Sequence, residues 1–298
     1  MNICGKDITI EGRLIRSGRL TAEKYEFLDD PKPTVEALRT CGARIDLFTF
    51  MQSLADPTPQ YDYPLDWDNL AALPISTFDY WWRKQINGKT RNMIRRSEKS
   101  GVVVREVPFD EALVEGISGI YNESSTRQGK PFKHYMKDIA AVRKENGTFL
   151  ERSAFIAAFV GRELIGFVKL VSDEHQHQAA MMQIVSMIRQ RDKAPTNALI
   201  AQAVRSCAER GIPYLVYANF AYGKKTPDTL AEFKRHNGFQ RVDVPRYYVP
   251  ITVLGRAALG MGLHYPLRAH LPEAVLSRLR AVRRFWHNSP IVTARESL

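Results

Sequence analysis

Phe155-Ile156-Ala157-Ala158-Phe159-Val160-Gly161-Arg162-Glu163-Leu164-Ile165-Gly166-Phe167-Val168-Lys169-Leu170-Val171 decides the fold. Two apolar, β-branched runs flank the dipeptide Gly161-Arg162, the pattern of two strands joined by a tight two-residue turn. Downstream, a polar loop with His175 and His177 leads to a third strand, Ala179–Ile188. A helix follows over Pro195–Arg210, closed by Gly211. Then come a strand over Tyr214–Phe220, a helix over Thr226–Asn237 closed by Gly238, and a last strand over Phe239–Val249. Hairpin, strand, helix, strand, helix, strand predicts an α/β (α+β) protein, a mixed β-sheet flanked by helices.

Upstream of the hairpin the spacing predicts helices over Lys133–Lys144 and Asp110–Asn122, the latter with Leu113, Ile117, Ile120 and Tyr121 on one face. Val102–Val107 reads as a strand. A long helix is expected from Ser76 to Lys99, interrupted at Gly88. The first 60 residues read as a small mixed unit: a hairpin or bent strand over Ile8–Ile15, a helix opening at Pro33, and a strand over Arg44–Phe50. Residues 56–64 form a Pro-rich connector.

At 298 residues the chain is long enough for two domains or one large one. Its 44% hydrophobic and 25% charged residues exclude wholesale disorder. Cys4, Cys41 and Cys207 are three and far apart, which excludes a disulfide scaffold and a Cys-rich zinc module and suits a reducing compartment. No signal-type apolar region opens the chain and no run reaches the ~18 apolar residues of a span, so the expected location is the cytoplasm. His175-x-His177 beside Asp173 and Glu174 lacks any further ligand pattern, so no metal is expected.

The net charge of +11 is concentrated. Residues 81–106 hold eight Lys/Arg against two Glu, a net of +6; residues 256–298 hold seven Arg against two Glu, a net of +5. Such patches suit a polyanion. Arg91, Arg95, Arg96, Arg127, Lys130, Lys224 and Lys225 are the candidate contacts. The stretch Glu273–His287 is an amphipathic basic helix, suited either to an anionic bilayer at the inner membrane face or to packing on the core.

The junction Arg189-Gln190-Arg191-Asp192-Lys193-Ala194-Pro195-Thr196-Asn197 opens a helix behind three cations, the arrangement of a phosphate site at a helix N-terminus. Arg189, Arg191, Lys193, Ala194, Thr196 and Asn197 are the candidate donor-binding residues. The element order together with this junction resembles the GNAT (N-acetyltransferase) fold. Where that pattern carries a glycine, this chain has Asp192, a carboxylate that opposes a bound diphosphate.

Lys89-Thr90-Arg91-Asn92-Met93-Ile94-Arg95-Arg96-Ser97-Glu98-Lys99-Ser100-Gly101-Val102, a basic helix before a strand, and Tyr222-Gly223 followed by Leu230-Ala231-Glu232-Phe233-Lys234-Arg235-His236-Asn237-Gly238-Phe239, look closer to the FemAB-like subgroup, over roughly residues 75–250. That resemblance implies two GNAT-like halves, a helical first half (76–150) and an acyltransferase core (151–252), flanked in this chain by an N-terminal mixed segment (1–75) and a basic helical tail (253–298). It implies transfer of an acyl or aminoacyl group from a thioester (acyl-CoA, acetyl-CoA included) or an aminoacyl-tRNA to an amine on a small molecule or cell-wall precursor. It also implies a backbone N–H near Gln183, Ile184, Val185 and Ser186 polarising the carbonyl, and a tyrosine proton donor, Tyr222 or Tyr217. Glu123, Glu163, Asp173 and Glu232 are the carboxylates considered as base, Glu232 foremost. The competing readings are a non-catalytic tRNA-binding protein and a peripheral membrane protein.

Overall fold

The computed structural model describes residues 1–127, 129–221 and 229–264. The chain opens with β1 (Asn2–Ile3), β2 (Lys6–Glu11), β3 (Ser17–Leu20), α1 (Pro31–Thr40), β4 (Leu47–Met51) and β5 (Leu65–Pro74). Then come α2 (Phe78–Tyr80), a π-helical turn over Trp81–Gln85, α3 (Gly88–Lys99), β6 (Val102–Val107) and α4 (Glu111–Asn122). The small hairpin β7 (Thr126–Arg127) and β8 (Lys130–Pro131) leads to α5 (Ile139–Asn146). The central hairpin is β9 (Ser153–Val160) and β10 (Glu163–Ser172). It is followed by β11 (Ala179–Ser186), a 3-10 turn over Arg191–Lys193, α6 (Pro195–Glu209), β12 (Tyr214–Asn219), α7 (Thr229–His236), β13 (Gln240–Pro250) and α8 (Val253–Gly260).

The quoted hairpin forms as expected, with Gly161 at φ +57 in its turn, a value glycine adopts without strain. It lies inside one 11-stranded sheet ordered β1-β2-β3-β4-β13-β5-β12-β11-β10-β9-β6. Among the described strands, only the β3–β4 and β11–β12 pairs run parallel. Local sequence pattern does not mark β5 as a strand, yet it lies between β12 and β13, pairing Leu73 with Leu215 and Ala72 with Gln240. The N-terminal segment thus supplies an interior strand to the C-terminal half.

Alternation along β10 places a helix on each face of the sheet. Phe167 meets Tyr121 of α4, with ring centroids 6.2 Å apart, whereas a Cβ on the neighbouring Gly166 would lie 3.2 Å from Leu199 of α6. The core between these layers buries Leu199, Ile200 and Val204 completely. Each such side chain contributes about 1.5–3 kcal/mol relative to exposure. A second cluster under the N-terminal strands gathers Ile8, Leu20, Phe48, Phe50 and Tyr247.

The long helix expected over residues 76–99 is broken. Asn87 caps α3 by accepting from the Thr90 amide at 2.8 Å. Arg91 donates to the carbonyls of Trp82 (3.0 Å) and Ile86 (2.7 Å), pinning the break. Gly88 is therefore the first residue of α3, and Arg91 serves the backbone instead of facing solvent. The helix expected from Lys133 begins at Ile139, because Asp138 accepts from the Ala141 amide and caps it there. The basic stretch 273–287 lies outside the described residues.

Candidate functional site

Strands β11 and β12 pair only at Ala179–Leu215 and Ala180–Val216. Beyond these positions each strand follows its other neighbour. The partner β10 holds β11 through Ser186, with a bulge at Met182 where Lys169 pairs with Gln183 and Leu170 with Met181. On the other side β5 holds β12, with an irregularity between Val216 and Asn219, and Ala218 sits at φ +48. That left-handed value in a non-glycine residue costs roughly 1–2 kcal/mol. The two strands therefore separate into a wedge in the middle of the sheet.

Backbone direction inside the wedge follows from one bond. The Met187 amide donates to the Ile165 carbonyl at 2.8 Å, so it faces β10. In an antiparallel ladder alternate residues face the same side. Val185 therefore also faces β10, while the amides of Ile184 and Ser186 turn toward the wedge. Of the four residues expected to line it, Ile184 and Ser186 present backbone N–H groups, and Gln183 presents a side chain.

The first face of the wedge is closed by α6 and α7. Ser186 Oγ and Thr196 Oγ1 are 2.8 Å apart, tying the end of β11 to the first turn of α6. Asn197 Nδ2 donates to Asn237 Oδ1 at 3.2 Å. Lys234 is fully buried; its ammonium donates to the Asn219 carbonyl and lies 4.9 Å from the Tyr217 ring centroid. Tyr217 is half-buried and packs on Phe239. Glu232 lies on the exposed side of α7.

Most amides of the junction before α6 are bonded within the protein. The amides of Arg191, Lys193 and Ala194 donate to the carbonyls of Ile188, Gln190 and Arg191. Those of Ile188 and Arg189 donate to the Glu123 carboxylate at 2.6 and 2.9 Å. Glu123 is itself 3.5 Å from Arg127, whose guanidinium donates to the Ser186 carbonyl at 2.7 Å. Among the cations, Arg189 pairs with Glu163, Lys193 donates to Gln190, and Arg191 is exposed. Lys130, Arg95 and Arg96 are exposed, and Arg95 lies over the Trp82 ring at 5.6 Å. Tyr222, Lys224 and Lys225 fall outside the described residues.

The second face was not read from the sequence. Lys24, Tyr25, Leu70, Met182, Val216 and Ala218 line a cavity of about 70 Å³ at the wedge. Burial pushes the Tyr25 phenol up to about 12. Alongside, Thr148 Oγ1 reaches Met182 Sδ at 3.8 Å. Gln183 Nε2 lies 3.4 Å from His134 Nε2. His134 Nδ1 is 3.1 Å from Glu145, and its ring stacks on Tyr121 at 4.6 Å. Burial, followed by the charges of Lys133 and Lys137, holds the imidazole below its usual value, against the pull of Glu145. Burial opposes ionisation of Glu145, but the Lys137 ammonium and His134 outweigh it and keep the carboxyl below the usual range. Burial also pushes the Tyr121 phenol up to about 12.

His175 contacts Asp29 at 3.0 Å and His177 lies 3.9 Å from Asp173. Among the described residues no His, Cys, Asp and Glu side chains gather to hold a metal ion, and no helix is long and apolar enough to cross a membrane.

The chain is similar to the crystal structure of FemX, with a TM-score of 0.60 and 10% identity over 82% of this chain and 84% of that one. It is also similar to the C-terminal DUF2156 domain of an Agrobacterium fabrum protein named as a putative lysylphosphatidylglycerol synthetase (TM-score 0.53, 15% identity, 85% and 83% covered). L-PGS from Bacillus licheniformis matches likewise (TM-score 0.53, 13% identity, 85% and 83% covered). No protein-family model and no curated protein sequence matches the chain. The fold is GNAT-like, of the FemAB-like kind.

Proposed function

We propose that this protein transfers an acyl or aminoacyl group to an amine, with the donor carbonyl in the wedge between β11 and β12. The supporting observation is the wedge itself: two strands that part after two paired residues and turn the amides of Ile184 and Ser186 into the gap. Fixed N–H donors aimed at a developing oxyanion typically contribute about 3–4 kcal/mol of transition-state stabilisation. Tyr217, in the wall on the α7 side, serves as proton donor to the leaving group, a role its neighbour in sequence Tyr222 shares as a candidate.

The junction before α6 favours a donor without a diphosphate handle. A diphosphate is gripped by unspent amides at a helix N-terminus. Here the amides of Ile188, Arg189, Arg191, Lys193 and Ala194 are bonded within the protein, and Asp192 adds a negative charge. An aminoacyl-tRNA brings its charge on a long backbone instead, and the exposed Lys89, Arg95, Arg96 and Lys99 of α3 suit that backbone. Acyl-CoA is the donor this reading ranks second.

Thermal unfolding with each donor separates the two. A ligand at a hundredfold excess over its dissociation constant stabilises by about 2.7 kcal/mol. Alanyl-tRNA should raise the melting temperature and acetyl-CoA should not. A shift with acetyl-CoA alone reverses the donor assignment. Silence with both, together with no label moved to any amine, removes the transferase reading.

A further inference from the structure

An acceptor amine reaches the wedge as an ammonium ion and must lose a proton before its lone pair can attack. We propose that His134 is the catalytic base that takes this proton on Nε2, and that Glu145 is the positioning residue that holds the ring in the competent tautomer. The assignment rests on the transfer reading.

Nδ1 lies 3.1 Å from Glu145 Oε2 and 3.4 Å from the Lys137 ammonium. The carboxylate is the nearer of the two and can only accept, so the Nδ1–H donates to it and the lone pair is left on Nε2. That nitrogen is 3.4 Å from Gln183 Nε2, a long bond that an incoming amine displaces. Gln183 follows the bulged Met182 and precedes Ile184, whose amide faces the wedge, so the base stands beside the carbonyl site. Tyr121 stacks on the ring and fixes its plane.

The carboxylates considered from the sequence are engaged or displaced. Glu123 accepts two backbone amides, Glu163 pairs with Arg189, Asp173 accepts the Gln178 amide before β11 begins, and Glu232 faces solvent on α7. The titratable groups facing His134 are Tyr121 from α4, Lys133 and Lys137 from its own loop, and Glu145 from α5. Burial and the two lysines keep the imidazole neutral at physiological pH, ready to accept a proton.

The steps balance. Nε2 takes one proton from the ammonium and passes it to solvent. The amine lone pair forms the C–N bond, and the carbonyl oxygen becomes an oxyanion held by the Ile184 and Ser186 amides. The oxyanion collapses and breaks the donor ester's C–O bond. The second proton of the nitrogen goes to the leaving oxygen.

The test uses the full chain, alanyl-tRNA as donor, and two amine probes. Nα-acetyl-lysine needs deprotonation; hydroxylamine is already unprotonated at neutral pH. His134→Gln should cut transfer to Nα-acetyl-lysine about a hundredfold and erase the acidic limb of the pH profile, while sparing transfer to hydroxylamine. Lys137→Met should move that limb to higher pH, and Glu145→Gln should move it lower with partial rescue by Glu145→Asp. Equal losses with both probes, or an unchanged limb in His134→Gln, overturn the base assignment and leave transfer standing. Imidazole nitrogen NMR reads the tautomer independently of the rates: a neutral ring protonated on Nε2 overturns the assignment whatever the transfer shows. A wild-type chain that transfers to neither probe, from alanyl-tRNA or from acetyl-CoA, overturns both readings.

Discussion

Two loops close on β11, and they are anchored by opposite charges. Residues 187–194, on the α6 side, are held by a carboxylate: Glu123 takes the amides of Ile188 and Arg189. The segment 146–148, on the His134 side, is held by an ammonium: Lys169 is fully buried in β10 and donates to the carbonyls of Asn146 and Thr148. One anchor spends N–H groups that a phosphate would need. The other spends only acceptors, two carbonyls and the Thr148 hydroxyl, and leaves the neighbouring imidazole available. A loop's chemical potential thus depends on which of its backbone groups its anchor consumes.

Removing the first anchor should produce the largest effect. Glu123→Ala leaves two amides without their acceptor and the partly buried Arg127 without its counter-charge, a change expected to cost about 3 kcal/mol of stability in urea unfolding. A loss below about 1 kcal/mol would show that the loop holds itself without Glu123.

The second anchor has a pH signature. Burial pushes the Lys169 ammonium down to about 8 from its ordinary 10.5. Above pH 8 the unfolded chain binds more protons than the folded one, so stability should rise with pH, by roughly 1 kcal/mol between pH 8 and 9. The buried Cys207 thiol, pushed up to about 12, opposes this rise above its ordinary value of 9. Lys169→Met should flatten the rise in urea unfolding at pH 7.5 and 9; an unchanged slope would locate the titration elsewhere.

A smaller effect tests why the donor junction disfavours diphosphate. Asp192→Gly removes the exposed carboxylate and leaves the amides of Ile188, Arg189, Arg191, Lys193 and Ala194 bonded, so calorimetry should detect no acetyl-CoA binding by this variant, and stability should move by less than about 0.5 kcal/mol. Binding by this variant would make the carboxylate, not the spent amides, the barrier. The smallest effect belongs to Arg189→Ala, which breaks an exposed pair with Glu163 and should cost about 0.2–1 kcal/mol in the same unfolding measurement.

The hairpin over residues 153–172 is legible because its signals are local: two long apolar runs around a glycine turn. The strand β5 is not, because Asp66, Asp68 and Asn69 interrupt its first half and its apolar run of Leu70–Leu73 is short. What makes it a strand is pairing with residues beyond 213. The helix start at Pro195 is legible from proline and charge, but the destination of each amide before it is a tertiary fact. His134 has no local signature either, since Glu145 and Gln183 reach it from two other elements. Spacing displays cations and tyrosines; it does not display which groups are already spoken for.

The interior position of β5 has a consequence for biogenesis. Its two neighbours, β12 and β13, emerge from the ribosome well over a hundred residues after it does. Until residue 219 has been made both edges of this stretch are exposed, and one stays exposed until residue 250, so the sheet cannot be completed half by half. A nascent chain stalled before that point should stay protease-sensitive around residues 65–74, and protection should arrive there and at the wedge together.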